Sequence, residues 1–267
     1  MPINAVPEFE WGQILTAIAK PLAVAETMFI SGLGAKPVHP KGPQDFATDI
    51  DLEIEAFLRT ELCEKTGYPV LGEEFGGICY QEDFSWMVDP VDGTTNFSTG
   101  SPLCAILIAL LYKSQPIGAI ISMPFLEKRL SAGYGQGLYI NGKPAARRRK
   151  WDSRNGQIAF SSLVPGQLLE NFENLGLRPR ITGSVGVSLA FATTGIVDAA
   201  ISFSPHPWDN AAGALAAREA GLQVTTAGGQ PWNVNSPNLV VAAPEIHDLV
   251  IAELIAANCA DSQQQSS

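Results

Sequence analysis

The chain has 267 residues, 46% hydrophobic and 16% charged, a balance that excludes a disordered or low-complexity protein and is long enough for one large domain or two lobes. The formal net charge is −10, with 27 acidic against 17 basic residues, which argues against a nucleic-acid backbone as the main partner. Residues Met1 to Glu8 show no basic segment followed by an apolar one, and the apolar run Leu103 to Tyr112 is too short to span a bilayer, so neither a signal peptide nor a membrane anchor is expected.

In chain order, Trp11, Ile14, Leu15, Ile18, Leu22, Ala25 and Phe29 recur at helical spacing and predict an amphipathic helix over 8–31, bent at Pro21. A second helix fits 48–65, with Asp49 and Asp51 in its first turn and Gly67 past its end. Strands follow at 68–71, 84–88, 105–112 and 117–123, then a hairpin turning at Asn141-Gly142. The basic run Arg147 to Lys150 reads as a solvated linker. Beyond it the pattern alternates: strand 157–161, helices 167–174 and 187–194, strand 199–203, helix 210–220, strand 238–243 and helix 246–257. This predicts an α+β lobe over 1–150 and an α/β lobe over 151–267, with no internal repeat and a frayed polar tail over 261–267. Cys63, Cys79, Cys104 and Cys259 form no C-x-x-C pair, which fits free thiols in a reducing cytosol rather than a zinc site or disulfide framework.

Several motif-like patterns fail on chemistry. Gly137-x4-Gly142-Lys143 mimics a phosphate loop, but Pro144 stands where a hydroxyl should ligate Mg2+, and Asn141-Gly142 is better explained as a hairpin turn. Gly133 to Gly137 has the wrong spacing for a dinucleotide fingerprint. His39, His206 and His247 fall in neither H-E-x-x-H nor an evident nucleophile pair, and there is no G-x-S-x-G elbow. The Asn96-Phe97-Ser98 sequon is read as incidental.

The richest stretch is Trp86-Met-Val-Asp-Pro-Val-Asp-Gly-Thr-Thr-Asn-Phe97, in which an apolar strand ends at Asp89, Pro90 stiffens a turn, and Asp92 precedes the amides of Gly93, Thr94 and Thr95. Carboxylates beside anion-binding amides call for a hard cation between them, although an ordinary turn uses the same residue types. Glu73 and Glu74 follow Gly72 at a strand end, where a solvated turn and a ligand role are both open. Asp209 opens a small-residue helix, where an N-cap role competes with ligation.

Taken together, Lys41-x3-Asp45-x2-Thr48-x2-Asp51, Gly72-Glu73-Glu74, Trp86 to Phe97 and Pro207-Trp-Asp-Asn-Ala-Ala-Gly213 resemble, in order, the signatures of the inositol monophosphatase family over roughly 8–257. The resemblance implies a layered αβαβα sandwich, usually dimeric, that hydrolyses a small phosphate monoester with two or three Mg2+ ions, Mn2+ being a substitute. It implies that Glu73, Asp89 and the Val91 carbonyl hold a first metal and Asp89, Asp92 and Asp209 a second. Gly93 and Thr94 would offer amides to phosphate, with Gly186, Val187 and Asp209 beside the substrate. Asp51, Glu73 and Thr94 would be catalytic, Thr94 and Asp51 as a pair that orients and deprotonates water. Residues 1–150 would carry most of the metal ligands, and Li+ inhibition is part of the same expectation. An all-oxygen ligand set independently favours Mg2+ or Mn2+ over zinc or copper.

Three features depart from the family pattern, the first being that the motif lysine, Lys41, lies nearer Asp45 than in the inositol enzymes. Ser202 stands where inositol-selective members carry a sugar-contacting glutamate, and Leu222 replaces the second glycine after Ala220-Gly221. Histidinol phosphate, fructose bisphosphate and a 3′-phosphonucleotide therefore stay open beside inositol phosphate. The rival from another class is a noncatalytic scaffold in a transcription complex, since a bacterial member of the family also serves in antitermination.

Overall fold

The computed structural model describes residues 6–42, 45–77, 83–146 and 150–264. Helices α1 (Trp11–Ser31) and α2 (Asp49–Thr66) bracket a two-stranded ribbon, β1 (His39–Gly42) and β2 (Asp45–Ala47). Thr48 caps α2 in a capping box with Asp51, and Gly67 ends it in the left-handed region. Helix α1 runs through Pro21 as one element. Among the described residues, α1, rather than the Leu103 to Tyr112 run, is by length and composition the one helix long and apolar enough to cross a membrane. Here its Trp11, Ile18, Leu22, Ala25 and Phe29 stripe is buried in the core.

A seven-stranded sheet follows: β3 (Val70–Gly72), β4 (Phe84–Asp92), β5 (Ala105–Tyr112), β6 (Gln115–Met123), β7 (Lys128–Gly133), β8 (Gly137–Ile140) and β9 (Lys143–Pro144), in chain order across the sheet. Both faces are covered, which is why its central strands read as continuous apolar runs. Trp86, Val88, Ile106 and Ile108 pack toward α1 and α2, while the alternate residues Met87, Leu107, Ala109 and Ile121 join a second core.

That second core is shared with a five-stranded sheet ordered β11-β10-β12-β14-β13, from β10 (Gln157–Phe160), β11 (Arg178–Ile181), β12 (Ala199–Ser202), β13 (Gln223–Thr225) and β14 (Leu239–Ala242). Helices α5 (Val185–Thr194) and α6 (Pro207–Glu219) lie between the sheets and touch both. Their approach needs small residues: a Cβ on Gly213 would fall 2.2 Å from Leu189 Cδ1. Helices α4 (Gly166–Asn174) and α7 (His247–Gln264) pack on each other and on the five-stranded sheet, completing the expected αβαβα layering. The short α3 (Thr94–Ser98) follows β4.

Some local expectations are corrected. Strand β4 does not end at Asp89 but continues to Asp92. Helix α6 starts at Pro207 after His206, so Asp209 is its third residue and not its N-cap. The predicted tail is helical to Gln264, and residues 265–267, like Arg147–Arg149, lie outside the described set. The ribbon and strands β7, β11 and β13 went unpredicted; β11 is a polar edge, Arg-Pro-Arg-Ile, without the alternation of a half-buried strand. Asn141 and Gly142 have φ of +50° and +75° between β8 and β9, so that pattern is a hairpin turn. The glycines at 133–137 form the β7–β8 turn, whose Gly135 and Gly137 amides donate to Glu219 at 2.8 Å each. Cys63 and Cys104 are free thiols; Cys79 and the side chain of Cys259 lie outside the description.

Candidate active site

The site begins with a defect in β4. Asp89 pairs with Leu107 and Asp92 with Ala105, so β4 spends three steps where β5 takes two. Residues three apart on a regular strand point to opposite faces; one extra residue at the Pro90-Val91 bulge restores both aspartates to one side. Proline suits such a place because it has no ladder proton to lose. The Val91 amide donates to Asp89 Oδ1 at 3.0 Å, and the Thr94 hydroxyl donates to the Val91 carbonyl at 3.1 Å.

Gly93 then turns the chain at φ +84°, where any Cβ would press on Ser184 and on the Gly183 carbonyl. The first amides of α3 have no intrahelical acceptor, so they face outward from this turn. Asn96 fastens α3 by donating to the carbonyls of Leu103 at 2.7 Å and Thr182 at 2.8 Å.

Three distant segments bring carboxylates together. Glu73 follows β3, Asp89 lies in β4 and Asp209 in the first turn of α6, each offering an oxygen within 4.8 Å of the others. Burial, followed by repulsion from Glu73, Asp92 and Asp209, holds Asp89 well above the ordinary carboxylate range. Burial pushes Asp209 up to about 8, against a hydrogen bond from Ser204 and with repulsion from Asp92 and Glu73. Such a cluster is short of positive charge, and its all-oxygen donors fit a hard divalent cation such as Mg2+.

Asp92 stands outside this trio. Its carboxylate accepts from the Ser184 hydroxyl and from the amides of Val185 at 2.8 Å and Gly186 at 2.9 Å, at the start of α5. Burial still outweighs these bonds and lifts its pKa to about 6. Gly186 is needed there, since a Cβ would meet Leu107 Cδ2 at 2.4 Å and Asp92 Oδ2 at 2.9 Å. Val187 is fully buried, and its amide donates to Ser184 Oγ at 3.0 Å. The Gly186 and Val187 amides thus serve Asp92 and the helix cap in this structure.

On the opposite side, Lys41 reaches from β1 to Glu73 at 2.7 Å and Glu74 at 2.6 Å. Burial works against the Lys41 ammonium, but the two glutamates more than offset it and raise its pKa. Glu74 is raised to about 7, first by burial, with Lys41 pulling down and Glu73 pushing up. Asp51 is buried, and its carboxylate accepts from the Thr48 amide at 3.1 Å and from the Thr48 hydroxyl. Burial raises its pKa, with Thr48 opposing. Among the described residues no hydrogen bond joins Asp51 to Thr94.

A cleft of about 340 Å3 opens between these segments, walled by Asp92, Gly93, Ser161, Ser162, Phe203, Ser204 and Asp209. Ser202 is buried at the end of β12, 1% exposed. Sequence reasoning missed Ser161, Ser162, Ser184, Asn96 and Glu55. Of these Asn96 lay inside a recognised motif, Trp86 to Phe97, whereas Glu55 reads as an ordinary glutamate of α2.

Two stacked sheets separated by helices, with carboxylates from three segments gathered beside an amide-bearing turn, define a metal-dependent phosphate-handling enzyme. The chain belongs to the inositol monophosphatase family, whose model matches residues 12–259. It is 38% identical over 254 residues to inositol-1-monophosphatase ImpA of Mycolicibacterium smegmatis, covering 90% of this chain and 92% of that protein. It is 33% identical over 219 residues to a histidinol-phosphatase of Mycobacterium tuberculosis, covering 78% and 84%. Among solved structures, a Thermotoga maritima IMPase superimposes with a TM-score of 0.83 at 28% identity, covering 91% of this chain and 97% of that one. The protein is therefore a phosphoric monoester hydrolase of a metal-dependent family.

Proposed function

We propose that the enzyme hydrolyses the monophosphate of a small uncharged polyol, inositol monophosphate or a close analogue, with Mg2+. The observation that carries this reading is the lining of the cleft. Its walls beyond the acids are Ser161, Ser162, Ser184 and Ser204, the glycines, Val185 and Phe203, and the described lining includes no Lys, Arg or His. The second phosphate of fructose bisphosphate or of a 3′-phosphonucleotide finds no cation there. The ammonium of histidinol phosphate finds no carboxylate beyond the metal set. Hydroxyls and one aromatic face suit a neutral polyol, and the buried Ser202 leaves recognition to this serine wall.

In this reading Glu73, Asp89 and the Val91 carbonyl hold one ion, and Asp89, Asp92 and Asp209 hold a second. Bound there, Mg2+ supplies the positive charge that acidifies water and stabilises the leaving alkoxide. The amides of Gly93 and Thr94 bind the phosphoryl oxygens, where fixed donors stabilise developing charge. Thr94 and Asp51 orient the attacking water; Asp51, whose ionisation burial penalises, accepts its proton. Gly186, Val187 and Asp209 border the alcohol. Residues 1–150 supply most ligands, and residues 151–267 add Asp209 and the serine wall. A homodimer in the cytoplasm, inhibited by Li+ and accepting Mn2+, with a third ion at high Mg2+, completes the proposal.

Phosphate release with Mg2+ from inositol 1-phosphate, glycerol 2-phosphate, histidinol phosphate, fructose 1,6-bisphosphate and a 3′-phosphonucleotide tests it. The polyol monophosphates should give the highest kcat/KM. Preference for a doubly charged or cationic substrate would overturn the assignment of substrate class.

A further inference from the structure

Glu73 sits on a turn that has little regular structure of its own. Its amide donates to the Val88 carbonyl at 3.2 Å, and Gly72 and Gly76 form an isolated bridge. Beneath it lies Glu55, fully buried on α2. Glu55 Oε2 accepts from the Glu74 amide at 2.7 Å, while Oε1 accepts from the Phe75 amide at 3.0 Å and from Arg59 Nη2 at 2.9 Å. Arg59 extends the clamp, donating to the Val70 carbonyl at 2.6 Å and the Gly76 carbonyl at 2.7 Å. One carboxylate and one guanidinium thus grip both ends of the 70–76 segment. The chain is shaped to admit them: a Cβ on Gly72 would lie 2.0 Å from Glu55 Oε1.

We infer that Glu55, backed by Arg59, is the positioning element that holds Glu73 at the metal site. The inference rests on the proposed role of Glu73 as a metal ligand. Like charges repel at the trio, so an unrestrained turn would swing Glu73 away from Asp89 and Asp209. Glu55 opposes this through the backbone, by fixing the two amides that follow Glu73. Neither residue lines the cleft. Both act in the way that groups behind metal ligands do, by pre-setting ligand geometry.

The test is direct Mg2+ titration by calorimetry, together with amide hydrogen exchange of segment 73–76 in metal-free protein. Glu55→Gln places amide protons against amide protons and should weaken Mg2+ roughly 10-fold or more, the scale of groups behind the ligands. Exchange should speed up at 73–76 ahead of the rest of the chain. Arg59→Lys, which loses the fork but keeps the charge, should do both to a smaller degree and serves if Glu55→Gln does not fold. Leu58→Ala, a buried apolar loss on the same helix, should lower the melting temperature without weakening Mg2+. Unchanged Mg2+ affinity in folded Glu55→Gln, or in Arg59→Lys where the first does not fold, would overturn the inference. So would a loss matched by Leu58→Ala. Glu73→Gln separates the two claims: if it too binds Mg2+ normally, the metal assignment itself fails.

Discussion

The two flanks of the site stabilise buried carboxylates by different means. On the Asp92 flank the donors are fixed: two backbone amides at the start of α5 and the hydroxyl of its N-cap serine. On the Glu73 flank it is a lysine, reaching in from a two-stranded ribbon to bridge Glu73 and Glu74. Amides cannot leave, whereas an ammonium on a four-carbon stem can be displaced by a stronger cation. The difference separates a place where a cation must compete from one where it merely adds: under the proposed metal assignment, Mg2+ would displace Lys41 on one flank and join a preset cradle on the other.

Asp89, common to both proposed ion sites, should give the largest effect. Asp89→Asn is expected to lower kcat by about 1000-fold or more, since it removes a shared ligand. It should also raise the melting temperature of the metal-free protein by relieving repulsion with Glu73, Asp92 and Asp209. Steady-state kinetics and melting check both halves. Near-normal turnover would erase the shared-ligand idea and, with it, the two-flank comparison.

The next effect is on pH. Asp209 is raised to about 8 and Asp92 to about 6, both above their unfolded value of 3.8. The folded state therefore binds more protons than the unfolded state between 3.8 and these values. Stability of the metal-free protein accordingly falls as pH rises through that window. Mg2+ needs the ionised forms, so its affinity should rise by up to about tenfold per pH unit for each carboxylate that must lose its proton, Asp209 alone between about 6 and 8. Melting curves with and without Mg2+ should show a metal-induced gain that widens from pH 6 to pH 8. A gain independent of pH would mean that the ion is held elsewhere.

Legibility in the sequence followed the range of the interactions. The core of β5 and the stripe of α1 were readable because burial on a periodic element writes its own pattern. Asp89, Asp92, Asp209 and Glu73 were readable because their spacing and motif order match the inositol monophosphatase signatures. The bulge that turns Asp89 and Asp92 to one side was not, since it is defined only by register against Ala105 and Leu107. Nor was the cradle for Asp92, whose donors lie more than 90 residues away and include an ordinary helix cap. Glu55 looked like one more helix glutamate; only the fold shows that the turn after Gly72 closes over it. Edge strand β11 hid because exposed Arg-Pro-Arg carries no alternation.

Two smaller perturbations separate the flanks. Lys41→Met removes the cation that competes for Glu73, and partly exposed ion pairs of this kind are worth ~1 kcal/mol, so Mg2+ should bind about fivefold tighter. Unchanged or weaker binding in a calorimetric titration would show that Lys41 supports the metal and does not compete with it. Ser184→Ala acts on the fixed flank and should be the mildest. It removes the N-cap that accepts from Val187 and the hydroxyl that donates to Asp92, at a cost of ~1 kcal/mol, or about 2–4 °C in melting temperature. The Val185 and Gly186 amides remain, so the Asp92 carboxylate keeps its place. Mg2+ affinity should then change less than in Lys41→Met, and in the opposite direction, because Asp92 loses a donor to its ionised form and holds its proton more tightly. A larger loss of Mg2+ than of stability would show that the hydroxyl, and not the backbone, sets Asp92, and the contrast between a fixed and a displaceable flank would fail at that residue.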